Sequence, residues 1–251
     1  MNWFKRLAKI MLLTALLLLL WQSAVSLLAL PHYMLPSPEA VWQQLLKQHV
    51  LLWQHAQVTL LEIVLGLTLG FLLGLGSALL LAFSAPVSAF LMPLLVISQA
   101  IPVFAIAPLL VLWFGYGMAS KIVMTVLIIY FPVTTACYDG LRNTPHAWLD
   151  LARSMRLTPA TLLFKVRLPA ALPSLASGLR IAASVAPIGA VVGEWVGSSQ
   201  GLGYLMLQAN ARMQVDLMFS ALFVLLIIAL SLYFLLDHAL RRLIPWAAHL
   251  R

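Results

Sequence analysis

The chain has 251 residues, of which 63% are hydrophobic and only 9% charged. Soluble domains carry roughly 45–50% apolar and about 25% charged residues, because the shell of a globule needs polar cover. This composition excludes a soluble enzyme, a disordered chain and a disulfide scaffold, and the single cysteine, Cys137, leaves no internal disulfide or multi-cysteine metal site. The net charge of +8 is spread between apolar runs. That pattern fits orientation in a membrane and not nucleic-acid binding.

A spanning helix needs about 20 residues. Six apolar segments of that kind follow one another at residues 9–30, 58–83, 90–114, 122–138, 170–196 and 217–236. The predicted fold class is therefore all-α, a polytopic membrane protein forming one transmembrane domain over residues 1–251. The first segment follows Lys5, Arg6 and Lys9 and is too long for a cleaved signal peptide, so it is expected to stay as a span.

Between the first two spans, Leu35-Pro36-Ser37-Pro38 reads as a turn, and residues 39–48 read as a short amphipathic helix. In the second span Gly66, Gly70 and Gly74 repeat every four residues, and Gly189, Gly193 and Gly197 do the same in the fifth. Such a ladder lets another helix approach closely. Pro93, Pro102 and Pro108 in the third span and Pro132 in the fourth predict kinks. The segment 197–216, with Gly197, Gly201 and Gly203, is predicted to dip partway into the membrane.

Basic residues set the orientation. An inside N-terminus places Lys5, Arg6, Lys9, Arg142, Arg153, Arg156, Lys165, Arg167, Arg241, Arg242 and Arg251 on the inner side. The outer side then receives Lys47, Lys121 and Arg212. Eleven against three predicts that both termini are cytoplasmic.

No pattern for bond-making chemistry is present. The chain has no G-x-x-x-x-G-K-[ST], H-E-x-x-H or G-x-S-x-G, so no catalytic residue, metal site or bound cofactor is expected on it. The histidines, His249 among them, fall at interfacial positions. Glu62 and Glu194 are the acidic residues within or near spans, both toward outer helix ends. An ionisable group at membrane depth is a candidate for function. Glu194 can instead hold backbone amides of the following loop.

The inner loop, residues 140–169, contains Thr144-Pro145 and Thr158-Pro159. Thr as N-cap followed by Pro at the first helical position predicts two short helices, 145–156 and 159–167, with Leu168-Pro169 ending the second. In the first, Trp148, Leu151, Ala152 and Met155 share one face, while Asp150 and Arg153 are spaced to pair.

Asp150-Leu-Ala-Arg-Ser-Met-Arg156 followed by Val166-Arg-Leu-Pro169 resembles the E-A-A-x-x-x-G … I-x-L-P loop of ABC importer permeases. Asp150 stands for the Glu, Ala152 for the second Ala and Val166 for the Ile, and Leu168 and Pro169 match. Leu151 replaces the first Ala and Arg156 the Gly. Leu35-Pro-Ser-Pro38, Ile101-Pro102, Ala107-Pro108, Trp113-Phe-Gly115 and Gly201-Leu-Gly-Tyr204 extend the likeness to permeases of the nitrate, sulfonate, taurine and thiamine-precursor type. The resemblance implies a second permease copy, a cytoplasmic ATP-binding subunit docked on Asp150, Ala152, Arg153, Arg156, Val166, Leu168 and Pro169, and an outer solute-binding protein. ATP and magnesium would belong to the ATPase partner, and the site would be the inner membrane of a bacterium. Residues 98–108 and 186–195 look most similar to permeases for hydroxymethylpyrimidine, a thiamine precursor.

No Lys or Arg lies at the middle of a span, which disfavours an anionic solute. Ser98, Gln99, Pro102, Thr134, Ser184 and Glu194 are the candidate lining of the path. The alternatives are a sulfonate, taurine or nitrate permease, an ion-coupled transporter, which should show paired ionisable groups at mid-membrane, and a membrane scaffold.

Overall fold

A computed structural model describes residues 2–29 and 31–247. The side chains of residues 2–7, 10 and 85 are not described. The inner-side charges Lys5, Arg6 and Arg251, together with His249 and the last residue of the first expected span, Leu30, therefore lie outside what the structure describes.

Every regular element among the described residues is helical. Helix α1 is Asn2–Leu27, α2 is Pro38–Lys47 and α3 is His49–Phe83. Helices α4 (Ala85–Ala100), α5 (Val103–Phe114) and α6 (Met118–Arg142) follow. The inner loop holds α7 (His146–Ser154) and α8 (Pro159–Leu162), then a π-turn at Leu163–Arg167 that runs into α9 (Leu168–Gly197). Helices α10 (Leu202–Ala211) and α11 (Val215–Leu243) complete the chain.

Four helices are each long and apolar enough to span: α3, α6, α11 and the 39-residue run Pro159–Gly197. The pair α4–α5 and the apolar part of α1, Met11–Leu27, bring the apolar segments to the six expected. Helix α2 begins as its sequence dictates: Ser37 Oγ accepts the Ala40 N–H at 3.2 Å, and Pro38 occupies the first turn.

Helix α6 is the centre of the bundle, gripped by α3 on one side and α9 on the other. The α3 ladder and the first two glycines of the α9 ladder face it, whereas Gly197 meets Val111 of α5. On α3, Gly66 meets Thr125, Gly70 meets Ile129 and Gly74 meets Val133; on α9, Gly189 meets Thr125 and Gly193 meets Lys121. A Cβ at any of these positions would lie at 3.0 Å or less from the facing atoms. The closeness of three helices therefore rests on missing side chains.

Three expectations need correction. The third span is not one kinked helix: α4 and α5 meet at 99° across Ile101-Pro102. Pro102 has no N–H and forces Ile101 to extended backbone (φ −83°, ψ 114°), which ends α4. Thr144 does not cap α7; its hydroxyl donates to the Leu141 carbonyl at 3.1 Å, and Pro145 takes the cap position. Leu168-Pro169 does not end the second loop helix. Pro169 lacks the N–H that an α-turn needs, and the wider π-turn, with Leu168 N–H on the Leu163 carbonyl, carries the helix past it.

Candidate functional site

Helix α7 is short and amphipathic, and mainly the 163–167 turn holds it. Ala152 is its buried residue, whereas Trp148, Leu151 and Met155 are exposed. Three large apolar side chains on one helical face thus lack cover from this chain. Asp150 and Arg153 pair at 3.1 Å, both largely in solvent.

Arg156, which stands where the family pattern has Gly, adopts φ +53°. Its N–H reaches the Arg153 carbonyl at 2.9 Å, and the Leu157 N–H reaches Ala152 at 3.1 Å. This is a Schellman ending, normally built on Gly. The turn survives with an arginine in it, at the usual cost of left-handed backbone, roughly 1–2 kcal/mol. Thr158 Oγ1 then accepts the Thr161 N–H at 3.3 Å and restarts the helix.

Val166 lies in the π-turn, and Leu168 and Pro169 open α9; all three are half-buried. Arg167 ties this turn to the bundle by donating to the carbonyls of Leu141 at 3.1 Å and Ala82 at 3.4 Å, at the C-terminal ends of α6 and α3. Between α9 and α11, Arg180 reaches Asp237 at 2.6 Å and Arg241 reaches the same carboxylate at 2.7 Å.

The opposite end of α9 carries a buried polar cluster. Glu194 is 1% exposed. Its Oε1 accepts the Thr59 hydroxyl at 2.6 Å, and its Oε2 accepts the N–H groups of Gly203 and Tyr204. Thr59 Oγ1 accepts the Leu202 N–H at 2.8 Å, and His55 Nδ1 accepts that of Gly201 at 3.0 Å. Four successive amides at the start of α10 are therefore capped by side chains of α3 and α9, with a carboxylate at the positive end of the helix. Gly201 is needed twice, for its φ of +110° and because a Cβ would strike the Glu194 carboxylate. Beside this cap, Lys121 Nζ lies 2.9 Å from Glu62 Oε1, with both side chains nearly inaccessible.

The candidate path residues do not converge on one site. Thr134 and Glu194 are buried, Thr134 on the Tyr130 carbonyl at 2.7 Å. Ser98, Gln99 and Pro102 are exposed around the α4–α5 break, and Ser184 is exposed on α9. Lys121, counted above among outer loop charges, is inside the bundle, which leaves Lys47 and Arg212 on that side. Sequence reasoning missed the Lys121–Glu62 pair and the roles of His55 and Thr59. A signal existed for α3: His55, Thr59, Glu62 and Gly66 recur at helical spacing and continue the glycine face.

Among the described residues the chain is an all-helical bundle with helices of spanning length and an amphipathic loop helix, an architecture suited to a membrane permease. The chain belongs to the family of binding-protein-dependent transport system inner membrane components, matched over residues 66–248. It is the permease subunit of an ABC importer, located in the inner membrane, and the ATPase of such systems is a separate subunit.

A probable ABC transporter permease of Haemophilus influenzae is 72% identical, covering 95% of this chain and 98% of its own. The formylaminopyrimidine transport permease ThiX of Halalkalibacterium halodurans is 37% identical over 92% of each chain. The riboflavin transport permease RibX of Chloroflexus aurantiacus is 39% identical over 93% of this chain and 88% of its own. In fold, the chain resembles a subunit of the inward-facing MetNI methionine ABC transporter, with a TM-score of 0.69 at 23% identity, covering 78% of this chain and 97% of that one.

Proposed function

We propose that two copies of this chain form the passage of an ATP-driven importer for a pyrimidine precursor of thiamine. Two cytoplasmic ATPase subunits, which hold the ATP and magnesium, dock on α7, and a solute-binding protein docks on the outer face. Both termini are cytoplasmic, as the excess of inner basic residues supports. The observation that carries the coupling is the uncovered Trp148, Leu151 and Met155 face on a firmly terminated helix, joined through Arg167 to the bundle.

ATP binding closes the ATPase pair, and the displaced α7 drags the 159–197 helix with it. The passage is thus a two-state bundle biased from both faces. Replacing Arg153 by Glu breaks the Asp150 pair and reverses a charge on the docking face, so uptake and stimulated ATPase activity should fall at least tenfold while membrane levels of the permease hold. Undiminished coupling in that variant would remove α7 as the docking element.

For the solute, the 37% likeness to a permease named for formylaminopyrimidine supports a small heteroaromatic ring. The 39% likeness to a permease named for riboflavin favours a second reading, a larger heteroaromatic solute. Uptake is to be compared for hydroxymethylpyrimidine, formylaminopyrimidine, riboflavin and an alkanesulfonate in a strain lacking the gene. Loss confined to riboflavin would move the assignment to the second reading, and loss confined to the sulfonate would overturn both.

A further inference from the structure

A cavity of about 660 Å³ opens between α9, α10 and α11. Its wall is apolar, with Ile188, Leu207 and Leu222 prominent, and no charged residue lines it. Two side chains in that wall carry strong hydrogen-bonding groups, the indole of Trp195 and the amide of Asn210. Both are exposed, and neither uses its polar group within the chain among the described residues. Along one side of α9, Trp195, Ile188, Ser184, Ile181 and Ser177 are exposed, with Val191 and Val192 lining the cavity between the first two. A concave apolar wall with a few free polar groups is the common form of a small-molecule site.

We propose that Trp195 and Asn210 form an entry subsite for a small, uncharged, planar heteroaromatic solute, which then moves along the Ser184–Ser177 stripe. The indole face offers stacking to a flat ring. The Asn210 amide offers one acceptor and two donors to a ring nitrogen and an exocyclic amino group. The wall holds no cation to neutralise a sulfonate or nitrate, so the subsite favours an uncharged ring. It sits beside Glu194, whose cap on α10 fixes Asn210 relative to Trp195. The inference rests on the pyrimidine reading and adds to it the residues that meet the ring.

The test uses the importer reconstituted with its ATPase and binding protein in vesicles. Trp195→Leu and Asn210→Leu should each raise the KM for hydroxymethylpyrimidine about tenfold, a change of ~1.4 kcal/mol. Trp195→Phe, which keeps a ring, should recover most of the loss, and stimulation of the ATPase by the binding protein should be unchanged in all three. A damaged fold would lower that stimulation as well. In a Cys137→Ala background, hydroxymethylpyrimidine should slow maleimide labelling of Leu207→Cys.

Unchanged KM values with normal wild-type uptake would overturn the subsite alone. Oxidation of Leu207→Cys to a covalent dimer would show a second copy in the groove and overturn it too, as would labelling that appears only after lipid removal. A wild-type importer that moves no hydroxymethylpyrimidine would overturn the solute reading and this inference together.

Discussion

Lys121 and Glu62 illustrate how much a single buried side chain can cost or stabilise. The ammonium and carboxylate meet at 2.9 Å, and the Glu194 carboxyl stands within hydrogen-bonding reach of Glu62. Removing one partner from such a pair leaves an uncompensated charge and typically costs roughly 3–5 kcal/mol, whereas replacing both by apolar groups is often neutral. Lys121→Met should therefore lower the thermal midpoint of the purified permease strongly, and Lys121→Met with Glu62→Leu should recover most of it. A double variant as unstable as the single one would show that Lys121 acts through some other contact. The sequence around Lys121 carries no sign of this role. It follows Gly115-Tyr-Gly117, which reads as a loop, and its partner lies 59 residues away on another helix. Glu194 was more readable, since Gly203, whose N–H donates to its carboxylate, and Gly201, whose missing side chain leaves it room, stand in the same short stretch.

Among the elements, α6 sets the terms, because its neighbours approach at van der Waals distance. The cost of adding a methyl group then depends on what it would meet. At Gly178 a Cβ would lie 2.5 Å from the Ala136 Cβ and 2.7 Å from the Pro132 carbonyl oxygen, neither of which can swing away. At Gly70 it would lie 2.5 Å from both the Cδ1 and the Cγ1 of Ile129, a side chain that can shift more readily than the backbone carbonyl and Cβ met at Gly178. At Gly76 it would meet nothing within 4 Å. Alanine substitutions should rank accordingly. Gly178→Ala should destabilise by about 1–3 kcal/mol through overpacking, Gly70→Ala by less, and Gly76→Ala should be neutral or stabilising by up to ~1 kcal/mol. Midpoints of thermal unfolding in detergent check the order, and a reversal of the first two would contradict the rigid α6–α9 contact.

The helices themselves were legible from apolar runs of spanning length, and the glycine ladders from their spacing of four. Helix ends were not, because α3 and α11 run beyond their apolar cores into polar turns that keep helical hydrogen bonds. The break at Pro102 and the passage through Pro169 were also hidden. Pro93, Pro108, Pro173 and Pro187 all sit inside helices here, so proline alone does not say which helix will stop.

For the whole molecule, charge placement decides which end faces the cytoplasm. With Lys121 paired inside the bundle, the charge asymmetry that motivates the proposed orientation, with α7 on the inner side, grows. A Ser154→Cys variant in a Cys137→Ala background should resist an impermeant thiol reagent in intact cells and react in inverted vesicles. Reaction from outside would reverse the assigned orientation. The proposed docking loop also leads into an unbroken 39-residue helical run whose other end bears Glu194 and, through it, the start of α10. At about 1.5 Å per residue such a run measures roughly 58 Å, enough to cross the bilayer with both extremities outside its core. A lever of that kind cannot signal in one direction only. If occupancy of the α10 end tightens binding at the α7 end by some factor, occupancy of the α7 end must tighten binding at α10 by the same factor.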